Sequence, residues 1–472
     1  MKKKNGLRFL ESCAFLMVLC AVLACVSGLL ERKASRSQFG PFLESPKEYD
    51  VLFFGDSRFV NCLLPMELWA DHGIAGYNLS CYGSTIPVCY WSMMNALDYA
   101  QPRLVVFAVN GVRKDLKLTG SSSDLHTALD FYPLTRTKLR AIADLMDDPE
   151  FADDDGNLYR DMRFEYAFTL GKYHSRWNEL GDEDFSPARN GNKGTEVMVG
   201  VAGYKEYDLV DPDRYADEQG AGYRYMRMAI EECQSRGIDV MLVYLPYPAS
   251  EDSQMHGNTV GMIAEEYGVN YVDFVQLDSV ADYAVDCYDE QSHLNPSGAQ
   301  KVTAYLGDYI ARHYDLPDRR ADGAYAHWET EWNAYVDQKL DMIRDHADAL
   351  ENLLLLLHDD DFDLRMGVRP GAPLYWDDRG ITLVHNMARE HVLEANQYDM
   401  WSNAMYPLAV FDEAVWEDDA YFLEMTGFTS GERRGHEAEL ALAELFDADD
   451  AATVFIQVID NRTGEPAAEM RF

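Results

Sequence analysis

The sequence predicts an open α/β fold with a mostly parallel sheet, carried behind an apolar N-terminal helix and followed by a small α+β unit. Three observations predict it. Val51-Leu52-Phe53-Phe54, Leu104 to Val109, Val240 to Leu245 and Tyr271 to Phe274 are short, β-branched and nearly unalternating runs, as parallel strands covered on both faces require. Helical patterns with recognisable start and stop residues lie between them, the alternation that builds a parallel sheet. An uncharged run from Cys13 to Leu30 follows Lys2, Lys3, Lys4 and Arg8.

That N-terminal run matches the ~18 to 20 residues needed to cross hydrocarbon. A cleaved signal peptide has a shorter apolar core of ~7 to 15 residues and a small-residue cleavage site, whereas this run ends in Glu31-Arg32-Lys33. Residues 1–33 are therefore expected to be an uncleaved signal anchor, with the basic start in the cytoplasm. The protein is then a single-pass protein of the cell membrane with its bulk extracytoplasmic. A lipoprotein ending its signal at Ala24-Cys25 is the competing reading, but Leu23 fits it poorly and apolar residues continue beyond the cysteine. Residues 34–48 are polar and broken by Gly40, Pro41 and Pro46, the composition of a stalk.

The α/β domain is expected over 49–318. Pro65 to His72 opens with proline and stops at Gly73, Tyr223 to Ser235 stops before Gly237, and Pro296 to His313 has Asn295 as N-cap. An insertion at about 112–205 breaks this rhythm and is expected to lie over the sheet's edge. It contains an acidic tract (Asp144, Asp147, Asp148, Glu150, Asp153, Asp154, Asp155) and the glycine-rich stretch from Asn190 to Gly194. The tract lacks the spacing of an EF-hand loop, so a solvated loop is the simpler reading. Residues 319–472 form the expected α+β unit: an amphipathic helix from about Ala324 to Leu357 with Trp328, Trp332 and Tyr335 on its core face, then strands at Phe362 to Val368 and Val454 to Ile459. The second strand enters a hairpin at Asn461 to Gly464.

Charge narrows the partners. The 472 residues carry 81 Asp+Glu against 41 Lys+Arg, a formal charge of −40. Such an excess repels phosphodiester backbones and anionic lipid, so no nucleic-acid partner is expected. Cys13, Cys20 and Cys25 lie in the apolar run. Cys62, Cys81, Cys89, Cys233 and Cys287 are odd in number and lack metal-ligand spacing, so buried free thiols are expected, with no metal and no cofactor. One disulfide among Cys62, Cys81 and Cys89 is the alternative for an oxidising exterior. His174-Ser175-Arg176-Trp177 in the insertion reads either as a substrate contact or as a helix packed through Trp177 with Arg176 solvated. His358 reads as a charge partner at a helix C-terminus.

The chemistry-bearing residues gather at one sheet edge. The strand at Val51 runs into Gly55-Asp56-Ser57-Arg58, placing Ser57 at the carboxyl edge, where open α/β folds place their sites. Gly83 lies in a loop after the extended Tyr77-Asn78. Asn110 ends the strand that begins at Leu104. His293 stands just before the helix cap Asn295, with Asp289 and Glu290 four and three positions upstream as candidates to hold its ring.

These residues, in this order, resemble the SGNH (GDSL-like) hydrolase family over about residues 49 to 315, and the resemblance implies a flavodoxin-like three-layer sandwich. It further implies Ser57 as nucleophile, His293 as general base, and Gly83 and Asn110 as oxyanion donors beside the Ser57 amide. The nearest flavour is the membrane-anchored branch that includes the lipoteichoic acid D-alanylation and the alginate or peptidoglycan O-acetylation proteins, which share the anchor and the motif His-Leu-Asn. Two positions depart from the pattern. Gly-x-Asn-Asp is here Ala108-Val109-Asn110-Gly111, and the aspartate three before the histidine is Glu290, with Asp289 one step earlier. The implied activity is a serine esterase or O-acyltransferase working on acylated or acyl-accepting cell-envelope polysaccharide, with an integral membrane O-acyltransferase as a candidate partner. The alternative is a non-catalytic envelope scaffold or glycan-binding protein with a degenerate site.

Overall fold

The computed structural model describes residues 2–31, 33–113, 122–147, 161–185, 191–199, 208–218, 220–277, 280–281, 283, 286–289, 293–345, 361–368, 421–426 and 454–471. The chain opens with α1 (Lys2–Leu30) and α2 (Lys33–Glu44). It then runs β1 (Val51–Phe54), α3 (Ser57–Cys62), α4 (Pro65–His72), β2 (Gly76–Asn78), α5 (Ile86–Ala96) and β3 (Leu104–Ala108). The insertion carries α6 (Ser122–Leu129), α7 (Arg136–Leu145), α8 (Arg163–Ala167), α9 (Leu170–Tyr173) and α10 (Asp182–Phe185). The α/β rhythm resumes with α11 (Ala221–Ser235), β4 (Asp239–Tyr244), α12 (Glu251–Tyr267), β5 (Asn270–Asp273) and α13 (Pro296–His313). The chain ends with α14 (Ala326–Asp345), β6 (Phe362–Val368), β7 (Tyr421–Thr426), β8 (Val454–Asp460) and β9 (Glu465–Arg471).

Strands β1 to β5 form one sheet in the order β2-β1-β3-β4-β5, every neighbouring pair parallel. The apolar runs explain it: all residues of β1 and β3 are buried, because helices cover both faces. One face packs on α5 and α11, the other on α3, α4 and α13. Start and stop residues act as their chemistry requires. Gly73 adopts φ +66° and donates its N–H to the carbonyls of Leu68 and Trp69, ending α4. Asn295 accepts from Gly298 N–H and Pro296 fills the first position of α13.

The stalk expected over 34–48 is instead the helix α2, which carries Pro41 inside it. The reason is burial. Phe39 stacks on Phe131 with centroids 4.5 Å apart, and Phe42 meets Tyr49 and Tyr77, both phenylalanines being fully buried. Apolar contact of this size, ~1.5 to 3 kcal/mol per side chain, outweighs the poor helix propensity of glycine and proline. In α1, Leu10–Leu30 is long and apolar enough to cross a membrane.

The insertion leaves between the central strands β3 and β4, and α6 and α7 pack on α5, over a helix rather than over the sheet. Its return segment reaches the edge strand. Lys193 O accepts from Asn78 N–H at 2.9 Å, and Gly194, at φ +93°, lies so close that a Cβ there would sit 1.9 Å from Asn78 O. Only glycine permits that approach. Asn78 itself is fully buried, so the tripeptide Asn78-Leu79-Ser80, a glycosylation sequon by its residue types, does not present its asparagine to solvent. The acidic tract beyond Asp147, together with Asn190, His358 and Glu290, lies outside the described residues.

Strands β6 to β9 form an antiparallel sheet in the order β7-β6-β8-β9. Phe362 and Val458 join the same apolar cluster as Trp328, Tyr335 and Leu340 of α14 and Trp69 of α4. The Lys339 ammonium, mostly buried, binds Glu67 Oε1 at 3.0 Å and Asp361 Oδ2 at 2.6 Å. The long helix expected from Ala324 to Leu357 begins as the 3-10 turn Gly323–Tyr325 and continues as α14 through Asp345, beyond which 346–357 lie outside the described residues. Trp328 is fully buried as a core residue.

Candidate active site

The sheet ends where Ser57, Gly83, Asn110 and His293 begin. Ser57 is the first residue of α3, and Asp56 caps that helix by accepting from Arg58 N–H. The same carboxylate takes Arg58 Nη1 at 2.8 Å, and the guanidinium lies 4.6 Å over the Tyr247 ring. The cap thus fixes the turn in which the Ser57 hydroxyl emerges at a helix N-terminus, with amide N–H groups around it.

The histidine arrives on a short hairpin. Cys287 and Leu294 pair as an antiparallel bridge, Tyr288 N–H donates to His293 O at 2.8 Å, and Asn295 N–H donates to Asp286 O at 2.9 Å. Beneath the hairpin, the fully buried Asp286 carboxylate accepts from Ser297 Oγ at 2.8 Å and from Lys301 Nζ at 3.0 Å. Three side chains then line up. His293 Nε2 lies 2.8 Å from Ser57 Oγ, and His293 Nδ1 lies 2.7 Å from Asp289 Oδ2. The other carboxylate oxygen, Asp289 Oδ1, accepts from the His293 backbone N–H at 3.0 Å.

These bonds fix the tautomer. A carboxylate only accepts, so Nδ1 carries the proton; in the neutral ring Nε2 then accepts, and the Ser57 hydroxyl donates to it. Of the two carboxylates left open by the sequence, Asp289 is in contact with the ring, and Glu290 lies outside the described residues. Residues as far apart as 57 and 293 meet because β1 and β5 end on the same rim.

The expected oxyanion donors stand on that rim without bonding to the three side chains just described. Asn110 is buried and clasps a backbone: its Nδ2 donates to Leu245 O and its Oδ1 accepts from Leu245 N–H, both at 2.9 Å. It therefore ties the loop after β3 to the loop after β4, a structural task the sequence did not reveal. One N–H of its amide remains beyond that clasp. Gly83 has φ +65°, and a Cβ there would sit 2.1 Å from Asp124 Oδ2 on α6. Its backbone can occupy that turn only without a side chain.

The wall beside α3 was not foreseen. Asn61 Nδ2 donates to Tyr82 Oη at 3.0 Å and to Glu196 O at 2.8 Å, and Tyr82 Oη donates to Glu196 Oε2 at 2.9 Å. Burial, aided by the Glu196 carboxylate, raises the Tyr82 pKa well above the phenol range, so it acts as a neutral donor. Nothing in the spacing of 61, 82 and 196 announces this contact. All five cysteines outside α1 are buried free thiols, and burial pushes Cys81 up to about 12. Among the described residues no cluster of His, Cys, Asp and Glu has the makings of a metal site.

In the stretch His174 to Trp177 the packing reading is reversed. Arg176 is the packed residue, donating to the carbonyls of Leu30 and Glu31 and to Asp184, while Trp177 is 71% exposed. The end of α1 leaves carbonyls without helical partners, and a guanidinium satisfies them.

No family model matches the chain, and no curated protein matches it. Among solved structures, the chain is similar to a crystal structure from Bacteroides fragilis described as a putative acylhydrolase, at 13% identity and a TM-score of 0.28. The match covers 59% of this chain and 94% of that one.

Proposed function

We propose that this protein is a membrane-anchored, extracytoplasmic serine esterase or O-acyltransferase of the SGNH type, acting on cell-envelope polysaccharide through an acyl-serine intermediate. The observation that carries the reading is the unbroken relay of 2.8 Å and 2.7 Å from Ser57 Oγ through His293 to Asp289.

The chemistry follows from that relay. A serine hydroxyl is a weak nucleophile until a base takes its proton. His293 Nε2 accepts that proton as Ser57 Oγ attacks an ester carbonyl, and Asp289 stabilises the imidazolium and holds its orientation. The oxyanion is met by the Ser57 N–H at the start of α3, the Gly83 N–H and the remaining amide N–H of Asn110. His293 returns the proton to the leaving alcohol. An acyl-serine remains, and its acceptor defines the activity: water makes an esterase, a sugar hydroxyl an O-acyltransferase. An anchor suits a substrate fixed in the envelope, or acyl groups handed over by an integral membrane O-acyltransferase.

One observation favours the non-catalytic scaffold: the Asn110 carboxamide is engaged by Leu245. A fluorophosphonate probe decides between the readings. Covalent labelling of the full chain, absent in Ser57→Ala, supports a catalytic serine; an unlabelled chain with an intact melting transition supports the scaffold.

A further inference from the structure

The span and the insertion meet at one level. Leu10–Leu30 comprises 21 residues, about 31 Å at 1.5 Å per residue, the thickness of a hydrocarbon core. From Leu10 to Val26 helix α1 is exposed, save for the half-buried Cys13, and it is shielded from Ser27 onward. The shielding comes from α9, α10 and the 3-10 turn His174–Asn178. Ser27 Oγ bonds Thr169 Oγ1 at 3.0 Å, and Ser27 lies three residues, about 4.5 Å, below the end of the span. The insertion therefore reaches down past the outer end of the apolar stretch.

The residues beside these contacts are apolar and uncovered. Trp177 follows Arg176, which binds the Leu30 and Glu31 carbonyls; Phe185 follows Asp184, which binds Arg176. Phe164 precedes Thr169 on the neighbouring helix α8 and pairs with Phe168. Trp177, Phe185 and Phe164 are 71%, 66% and 69% exposed.

We propose that the insertion seats the domain on the outer surface of the membrane that α1 crosses, with Trp177, Phe185 and Phe164 entering the interfacial layer. The proposal rests on the reading of α1 as an anchor. The depth agrees: aromatic side chains favour the interface, and apolar faces bury ~5 to 10 Å into it, a range that 4.5 Å below the end of α1 approaches. The chemistry of the partner follows from charge. Residues 163 to 185 hold three basic residues against five acidic ones, so the contact is apolar insertion into neutral lipid rather than attraction to anionic headgroups. The rim bearing Ser57 then works at a set height and tilt instead of swinging on a tether.

The test uses the full chain in phosphatidylcholine nanodiscs carrying a doxyl quencher either near the headgroup or deep in the acyl chain. The difference in emission between wild type and Trp177→Phe isolates the Trp177 signal from the other tryptophans. Quenching of that difference signal by the shallow label more than by the deep one, unchanged by added salt, is the expected result. A chain retained on the disc through an alkaline carbonate wash, with a difference signal untouched by either label, overturns the seat and leaves the anchor standing. Release of the chain by the wash overturns the anchor and the seat with it.

Discussion

Asp289→Asn is the sharpest perturbation of the site, because the structure dictates what the amide must do. Asp289 uses both oxygens: Oδ2 holds His293 Nδ1 at 2.7 Å and Oδ1 accepts the His293 N–H at 3.0 Å. An asparagine that keeps its oxygen on the backbone N–H turns its NH2 toward Nδ1. The ring must then accept at Nδ1 and carry its proton on Nε2, facing Ser57 Oγ with a donor where a base is needed. The flipped amide points a donor at the backbone N–H and loses that bond. In a Ser-His-Asp site the wrong tautomer costs about 10^4-fold in kcat, or ~5 kcal/mol of barrier, while an isosteric change leaves the fold intact. Initial rates on a small activated ester, with the melting temperature and the fluorophosphonate labelling rate taken in parallel, measure it. Turnover within about tenfold of wild type would refute the assignment, and a collapse in Glu290→Ala with Asp289→Asn intact would transfer the role to Glu290.

Two further predictions concern the same rim and the sheet beneath it. Asn110→Ala strips two buried bonds from Leu245, so denaturant unfolding should show a loss of about 2 to 4 kcal/mol, and kcat of the folded enzyme should fall about 10^2-fold or more; a stability loss with unchanged kcat confines Asn110 to its clasp. Asp273, at the end of β5, has its carboxyl pushed up to about 6 from 3.8 chiefly by burial, against the pull of the Val275 and Gln276 amides. A carboxyl raised on folding contributes stability below its unfolded pKa that is lost as pH rises through the folded one. Roughly 2 kcal/mol should therefore disappear between pH 4.5 and 7.5. Urea midpoints should show Asp273→Asn flat in this term relative to wild type, and parallel pH profiles for the two would remove Asp273 as its source.

Legibility in the sequence followed the range of the interaction. The strands β1, β3 and most of β4 announce themselves because a strand covered on both faces must be apolar throughout, and the caps Gly73 and Asn295 because their conformations are local. Ser57 and His293 were legible for a related reason: each sits at a junction of strand, turn and helix, and parallel strands bring all such junctions to one rim. The three-residue β2 is too short to carry a period. In α2, Gly40 and Pro41 argued for an open chain, and the burial of Phe39 against Phe131, 92 positions away, decided otherwise. The Asn110 clasp and the Asn61-Tyr82-Glu196 wall depend on partners that only folding brings near.

Seen through its contacts, the insertion links the two halves of the proposed function. Its return segment caps β2 through Lys193 and Gly194, and Glu196 N–H donates to Val60 O of α3, the helix that opens with Ser57. Its middle grips α1 through Thr169 and Arg176. Ser57 and the apolar helix are thus joined through one packed body, since α2 is docked by Phe39 and Phe42 where a stalk would hang free. A hydrolase with a freely diffusing substrate gains nothing from such bracing. An enzyme that must present its rim to an acyl donor or polymer held near a bilayer gains orientation, because each side chain fixed beforehand lowers the entropic cost of productive encounter.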